Sequence, residues 1–283
     1  MSAEVDVRPA PFLAAAVQLC STADVERNLS SAEGLVRQAA ARGARLVALP
    51  EHFGYLTREG QPAPHAQSLD GPWIARFARL ARELHLTLVV GTLSETIPGS
   101  ALTHNTSVVV TPDGQLLGHY RKIHLFDPAL PDLVHLRESD TTLPGTSASA
   151  FRSACGTLGL AICYDLRFPE LFRTLGLEGV EVFVTPSAFT ARTGPDHWEV
   201  LLRCRAIENL SYVVAPAQWG QHGPERSSHG RSMIVDPWGT VLDCLPAGEG
   251  FVLAEIDLAS LHETRLRFPC LEHAKMARRP RMA

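Results

Sequence analysis

Leu158-Gly159-Leu160-Ala161-Ile162-Cys163-Tyr164-Asp165-Leu166-Arg167-Phe168-Pro169-Glu170-Leu171 is the stretch from which the fold is read. A short apolar run ends in a cysteine, a polar turn follows, and a proline stands where it suits the first position of a helix. Leu171, Phe172 and Leu175 continue at helical spacing. The pattern predicts a buried strand, a turn and a helix, with Cys163 at the strand end, where a cleft can reach it. Two other strand-like runs also end in chargeable groups. Arg45 to Leu49 leads through Pro50 to Glu51, and Leu116 to Tyr120 leads through Arg121 to Lys122. Three unlike groups at three strand ends point to one site. A free thiol has a pKa of about 8.5 and is mostly protonated at neutral pH. A carboxylate beside it can accept its proton, and a lysine can favour the thiolate and hold a developing oxyanion. Position alone also fits a plainer role, because a lone cysteine after an apolar run is commonly a small buried hydrophobe.

The wording around the three groups is more specific than their position. Ala48–Tyr55 (ALPEHFGY), His119–Asp127 (HYRKIHLFD) and Cys163–Leu171 (CYDLRFPEL) resemble the three active-site motifs of the carbon–nitrogen hydrolases, the nitrilase superfamily. They stand in the family's order of glutamate, lysine and cysteine, and the resemblance runs from about Phe12 to about Pro269. Ser187 to Thr190, Thr193 to Trp198, Arg203 to Asn209 and Asp236 to Gly239 narrow it to a branch of amidases whose substrates share an α-ketoglutaryl group.

The resemblance implies an α/β fold, a four-layer α-β-β-α sandwich with two mixed sheets. It implies one domain over residues 1–283, with a core at about 12–257 and a tail at 258–283. It makes Cys163 the nucleophile and Glu51 the proton carrier. Lys122 holds the oxyanion with the backbone N–H of Tyr164. Glu138, in the loop between Lys122 and Cys163, is a second active-site glutamate that orients Lys122 or the attacking water. One carboxylate that serves as base and then acid is expected to have its pKa moved toward neutrality. A substrate carboxylate would pair naturally with a guanidinium. Arg167 is the first candidate and Arg192 the second, although Arg167 reads equally as an ion-pair partner of Glu170. Tyr55 either lines the pocket or packs, and Phe189, Thr190 and Thr193 fall in a pocket loop. No cofactor is implied, the substrate is a small amide, and a homodimer or higher homo-oligomer is expected. A non-catalytic binding protein of the same fold is the contrasting reading, and retention of Glu51, Lys122 and Cys163 together speaks against it. Acyl transfer to an acceptor other than water would use the same groups.

Composition sets outer bounds. The 283 residues suffice for one large α/β domain, and 45% hydrophobic content fits a globular chain. A formal charge of −4 argues against a general nucleic-acid binder, which needs a strongly positive face. The six cysteines are scattered without a C-x-x-C pair, which fits a reducing compartment better than a disulfide framework. No apolar run approaches the roughly twenty residues that span a bilayer. Pro11 to Val17 after Arg8 only faintly resembles a signal peptide, because Glu4 and Asp6 spoil its positive flank. A cytoplasmic protein without a membrane partner is expected. The twelve histidines, with His119 and His124 or His222 and His229 the nearest pairs, lack metal-ligand spacing. There is no glycine-rich nucleotide loop and no G-x-S-x-G.

The remaining elements follow from periodicity. Strands are predicted at Phe12–Gln18, Leu46–Leu49, Leu86–Gly91, Val180–Thr185, Tyr212–Ala215 and Phe251–Ile256, the last closing the sheet. Hairpins are predicted around Thr111-Pro112-Asp113-Gly114 and Pro237-Trp238-Gly239. Helices are predicted from Thr22 or Asp24 to about Arg42, from Trp73 to Leu84 and from about Asp196 to Asn209. Leu125 to Ala148 has no clear period and reads as a long functional loop. The basic residues from Arg265 to Arg281 read either as a solvated end or as a subunit contact. Leu46–Pro50 and Val182–Pro186 echo one another as strands ended by proline, which fits a pseudo-symmetric two-sheet core.

Overall fold

The computed structural model describes residues 10–57, 64–130, 136–224 and 226–275. Alternation along its first strand, β1 (Phe12–Leu19), explains the layering, because successive side chains on a strand point to opposite faces. Ala14 and Ala16 join a core with Leu160, Ala161 and Val184, whereas Ala15, Val17 and Leu19 join another with Leu29, Val36 and Phe77. The same split recurs in β2 (Ala44–Ala48), β3 (Thr87–Thr96) and β4 (Thr103–Val110). Leu46, Val89 and Val109 face the first core, while Val47, Leu88, Val90 and Val108 face the second. Strands that are apolar on both faces must be covered on both. Helices α1 (Val25–Ala41) and α2 (Pro72–Leu84) supply one cover, with Leu29, Val36, Ile74 and Phe77 among their buried residues. Asp24 caps α1 by accepting from Arg27 N at 3.0 Å.

The other cover is a second sheet. After β5 (Leu116–Arg121), the chain crosses to β6 (Ala150–Ser153), β7 (Gly156–Leu160), β8 (Val182–Val184) and β9 (Tyr212–Ala215). It returns to the first sheet as β10 (Ala217–Gln221) and β11 (Ser227–His229), goes back as β12 (Met233–Val235) and β13 (Val241–Cys244), and ends in β14 (Gly250–Ile256). The first sheet runs β11-β10-β1-β2-β3-β4-β5, with β14 antiparallel on β1, and the second runs β13-β12-β9-β8-β7-β6. Both mix parallel and antiparallel pairs, for example β1–β2 with β3–β4 and β7–β8 with β9–β12. Helices α3 (Pro169–Leu177) and α4 (Gly194–Asn209) cover the second sheet through Phe172, Leu175, Trp198, Leu202 and Ala206. The layers are therefore α-β-β-α.

Phe251–Ile256 forms a strand as expected and pairs along β1 in the first sheet. Two differences from the sequence reading have local causes. The strands β6, β10 and β11 are short or polar and carry no usable period. Residues from 258 onward, read as a tail, begin with helix α5 (Leu258–Arg267), capped by Asp257 and anchored by buried Leu258 and Leu261. Arg265 donates there to the carbonyls of Val180 and Leu210, so it is fixed rather than solvated. The N-terminal flank with Glu4, Asp6 and Arg8, and the last basic residues from 276 onward, lie outside the described residues. No helix among the described residues is long and apolar enough to cross a membrane.

Candidate active site

Three strand ends deliver three side chains to one point. Past β2, Pro50 leads into a turn at Glu51–Gly54, where His52 takes a left-handed φ of 55°. Gly91 makes this turn possible, because a Cβ there would lie 2.2 Å from the Pro50 carbonyl oxygen. The turn is pinned by Gln218 Nε2, which donates to Glu51 O at 2.9 Å, and by His52 N, which donates to Thr92 Oγ1 at 3.0 Å. Past β5, Lys122 N donates to Asn105 O at 2.9 Å and Gly145 N donates to Lys122 O at 2.8 Å. Past β7, Cys163 has a left-handed φ of 48°, a conformation most side chains avoid, and its N–H donates to Pro186 O at 3.0 Å. The proline-ended strands β2 and β8 thus meet here: Glu51 follows one, and the loop after the other receives Cys163 and contributes Ala188.

The contacts are short and buried. Lys122 Nζ donates to Glu51 Oε1 at 2.9 Å and to Glu138 Oε2 at 2.8 Å. Ala188 N donates to Glu51 Oε2 at 2.9 Å. The Cys163 thiol is hydrogen-bonded to Glu51 and receives the Ala188 N–H. Glu51, Lys122 and Cys163 expose 1%, 2% and 8% of their surface, so bulk water screens these charges little. Glu138 sits behind Lys122 and also accepts from Phe126 N at 2.8 Å. Asn105, which sequence reasoning passed over as a strand residue, donates to both Glu51 Oε1 and Glu138 Oε1, at 2.9 and 3.0 Å.

Electrostatics corrects two expectations. Glu51 is not moved toward neutrality. Burial pushes its pKa up, but the Lys122 ammonium, His52 and the hydrogen bonds from Lys122 and Cys163 outweigh that and hold it down to about 2. The Cys163 thiol is not turned into a thiolate by the lysine. Burial and then the Glu51 charge push it well above its ordinary value, against the opposing pull of Lys122 and the Ala188 N–H. Burial disfavours charge on Lys122, yet Glu138 and Glu51 raise its pKa well above the usual lysine range. The resting site is therefore a neutral thiol on an ionised carboxylate, beside an ammonium.

A cavity opens over these groups, with about 310 Å³ of empty space when the solvent at its mouth is included. Phe126, Tyr164, Arg167, Phe189, Thr190 and Thr193 line it with Glu51, Lys122, Cys163 and Ala188. Arg167 lies over the faces of Phe189 and Tyr164, 5.3 and 5.8 Å from their centroids, and its Nη1 is 3.1 Å from His197 Nδ1. Two sequence candidates fall elsewhere. Tyr55 lines a neighbouring cavity with His52, His65 and Trp73, because the turn at His52 carries the chain past Glu51. Arg192 is exposed and outside the lining: the Thr190–Thr193 turn points both threonines inward, their Oγ1 atoms 3.1 Å apart, and leaves the intervening residues outside. Among the described residues, no group of three or more His, Cys, Asp or Glu could hold a metal ion.

The chain belongs to the carbon–nitrogen hydrolase family, whose pattern it matches over residues 13–266. Its relatives include proteins named deaminated glutathione amidase. The one from Synechocystis sp. is 41% identical over 266 residues, covering 93% of this chain and 98% of that one. The one from Homo sapiens is 42% identical over 268 residues, covering 93% and 82%. The fold is that of the nitrilase superfamily. Saccharomyces cerevisiae Nit3, a member of branch 10 of that superfamily, superposes with a TM-score of 0.84 at 31% identity, covering 93% of this chain and 96% of Nit3. The C. elegans NitFhit protein superposes with a TM-score of 0.88 at 36% identity, and this chain covers 66% of it.

Proposed function

We propose that this chain is a thiol amidase that hydrolyses deaminated glutathione to 2-oxoglutarate and Cys-Gly. The observation that carries the reaction is the Cys163 thiol resting on the Glu51 carboxylate, which Lys122 also holds, beneath the cavity. The substrate is supported by the names of the relatives and by Arg167, a cation in the cavity wall that would pair with the acyl group's carboxylate.

Cys163 attacks the amide carbonyl as Glu51 takes the thiol proton. Lys122 and the Tyr164 N–H hold the oxyanion of the tetrahedral intermediate. Glu51 returns the proton to the nitrogen, the carbon–nitrogen bond breaks, and the amine leaves a thioester on Cys163. Glu51 then draws a proton from water as its oxygen attacks the thioester. The keto acid departs and sulfur recovers the proton. Glu138 keeps Lys122 in place through its 2.8 Å contact. Phe189, Thr190 and Thr193 shape the acyl pocket. The partner expected in assembly is a second copy of the chain, which the exposed Val200, Ile207, Trp238 and Phe268 would suit; light scattering of the purified protein checks it.

A side-by-side assay on deaminated glutathione and α-ketoglutaramate, scoring keto-acid release, tests the substrate. Faster turnover of α-ketoglutaramate would move the reading to ω-amidase activity. An acyl adduct should appear by intact mass spectrometry during turnover and be absent from Cys163→Ala. Arg167→Ala should raise KM for the keto-acid amide more than for an uncharged amide.

A further inference from the structure

We propose that Asn105 is a positioning residue of this reaction: its carboxamide clamps Glu51 to Glu138 and keeps the base aimed at the Cys163 thiol. The inference rests on reading Glu51 as the base and Cys163 as the nucleophile.

Two carboxylates share a buried site with one ammonium. Like charges at this separation repel, and each buried oxygen needs donors. Lys122 gives one N–H to each acid. The Asn105 amide uses both of its N–H groups in the same way, at 2.9 Å to Glu51 Oε1 and 3.0 Å to Glu138 Oε1. Turned over, the amide would aim its own oxygen at two carboxylates, so its orientation is fixed by charge. The consequence is visible on its far side. Among the described residues, no donor reaches the buried Asn105 Oδ1. A bare buried carbonyl is unfavourable, and the fold carries it rather than give up the two donors.

Backbone register supports the same role. Asn105 pairs with Ser94 in β4–β3, and its carbonyl accepts from Lys122 N at 2.9 Å. One residue therefore holds the lysine's strand through its main chain and both acids through its side chain. With Lys122 and Asn105 on Oε1 and Ala188 N–H on Oε2, the remaining lone pair of Glu51 is left to the thiol. Neither a leucine nor an aspartate, both close in size to asparagine, reproduces two donors at one nitrogen.

The test is alkylation of Cys163 by iodoacetamide, read by peptide mass mapping, beside amide hydrolysis over a range of pH. Asn105→Leu should slow alkylation about tenfold or more, the effect of one pK unit of lost stabilisation, and lower kcat with KM little changed. Asn105→Asp places a third carboxyl among two others, where it takes up a proton as pH falls and then offers one O–H donor. Both of its rates should recover on acidification and fade as pH rises, a limb that the wild type lacks. A residue needed only for folding would lower the rates by one fraction at every pH. The inference is overturned if folded Asn105→Leu alkylates and turns over like wild type, or if Asn105→Asp stays at a constant fraction of wild type across pH. If Asn105→Leu does not fold, the Asn105→Asp profile decides. If the wild type hydrolyses neither amide while Cys163 alkylation still depends on Asn105, the substrate reading fails and this inference stands. If Glu51→Gln alkylates as fast as wild type, Glu51 is not the base and the inference falls with that reading.

Discussion

Two buried carboxylates lie on either side of the Cys163 turn, and they are used differently. Glu51 accepts from Lys122, Asn105 and the Ala188 N–H, and its last direction goes to the thiol. Asp165, two residues past the nucleophile, is fully buried and meets four protein donors or ring nitrogens. Its Oδ2 accepts from Tyr120 OH and Ile162 N, both at 2.8 Å. Its Oδ1 accepts from His124 N at 3.1 Å and lies 2.6 Å from His124 Nδ1. Tyr120 and His124 flank Lys122 in sequence, so Asp165 ties the lysine's segment to the cysteine's turn. The pair teaches a rule for this site. A carboxylate held on every side by partners away from the cavity fixes geometry. One that leaves a lone pair to a nucleophile lining the cavity can do chemistry.

The comparison breaks most visibly at Glu51. Glu51→Gln should keep the fold and lose about a thousandfold or more in kcat, the scale of general acid–base catalysis, measured by steady-state hydrolysis. Comparable turnover by that variant would put both acids in the structural class. Asp165→Asn should do the reverse. It leaves buried donors without acceptors, at about 2–4 kcal/mol in urea unfolding, while the surviving folded enzyme loses far less activity than Glu51→Gln.

A third effect follows from charge. The Glu51 pKa is depressed from an ordinary 4.5 to about 2. Its ionised form therefore stabilises the fold above the unfolded carboxyl's pKa, and that stabilisation is lost as pH falls from about 4.5 toward 2. Wild-type stability should decline more steeply than that of Glu51→Gln through this window, as read by denaturant midpoints at stepped pH. The acid limb of kcat/KM should also lie below the usual carboxylate range. The smallest effect is expected at Tyr120→Phe, which removes one of the donors to Asp165 and should cost about 1 kcal/mol with KM unchanged.

Much of the site was legible because its signals are local. A strand that ends in proline and then glutamate, or in a cysteine before a helix opened by proline, is written within ten residues. Glu138 was reached only through family wording, since its loop has no period. Asn105 was missed because an asparagine opening a strand looks like any edge residue, and its partners are 54 and 33 positions away. Arg167 ranks ahead of Arg192 on sequence because it stands four residues after Cys163, and the Thr190–Thr193 turn leaves Arg192 exposed while Arg167 lies in the cavity wall. Helix α5 was read as a tail because two buried leucines and a cap are a weak signal beside many charges.

The sequence by itself determined the strand and helix periods, the two-sided apolar strands that demand covering layers, and the three groups placed at strand ends. These are properties of neighbouring residues. The tertiary structure decided which ends meet, that a second acid and an amide join them, and that the resting thiol keeps its proton. Those outcomes depend on burial and on charges brought close by packing two sheets together, and the field at a buried atom is set by its neighbours in space.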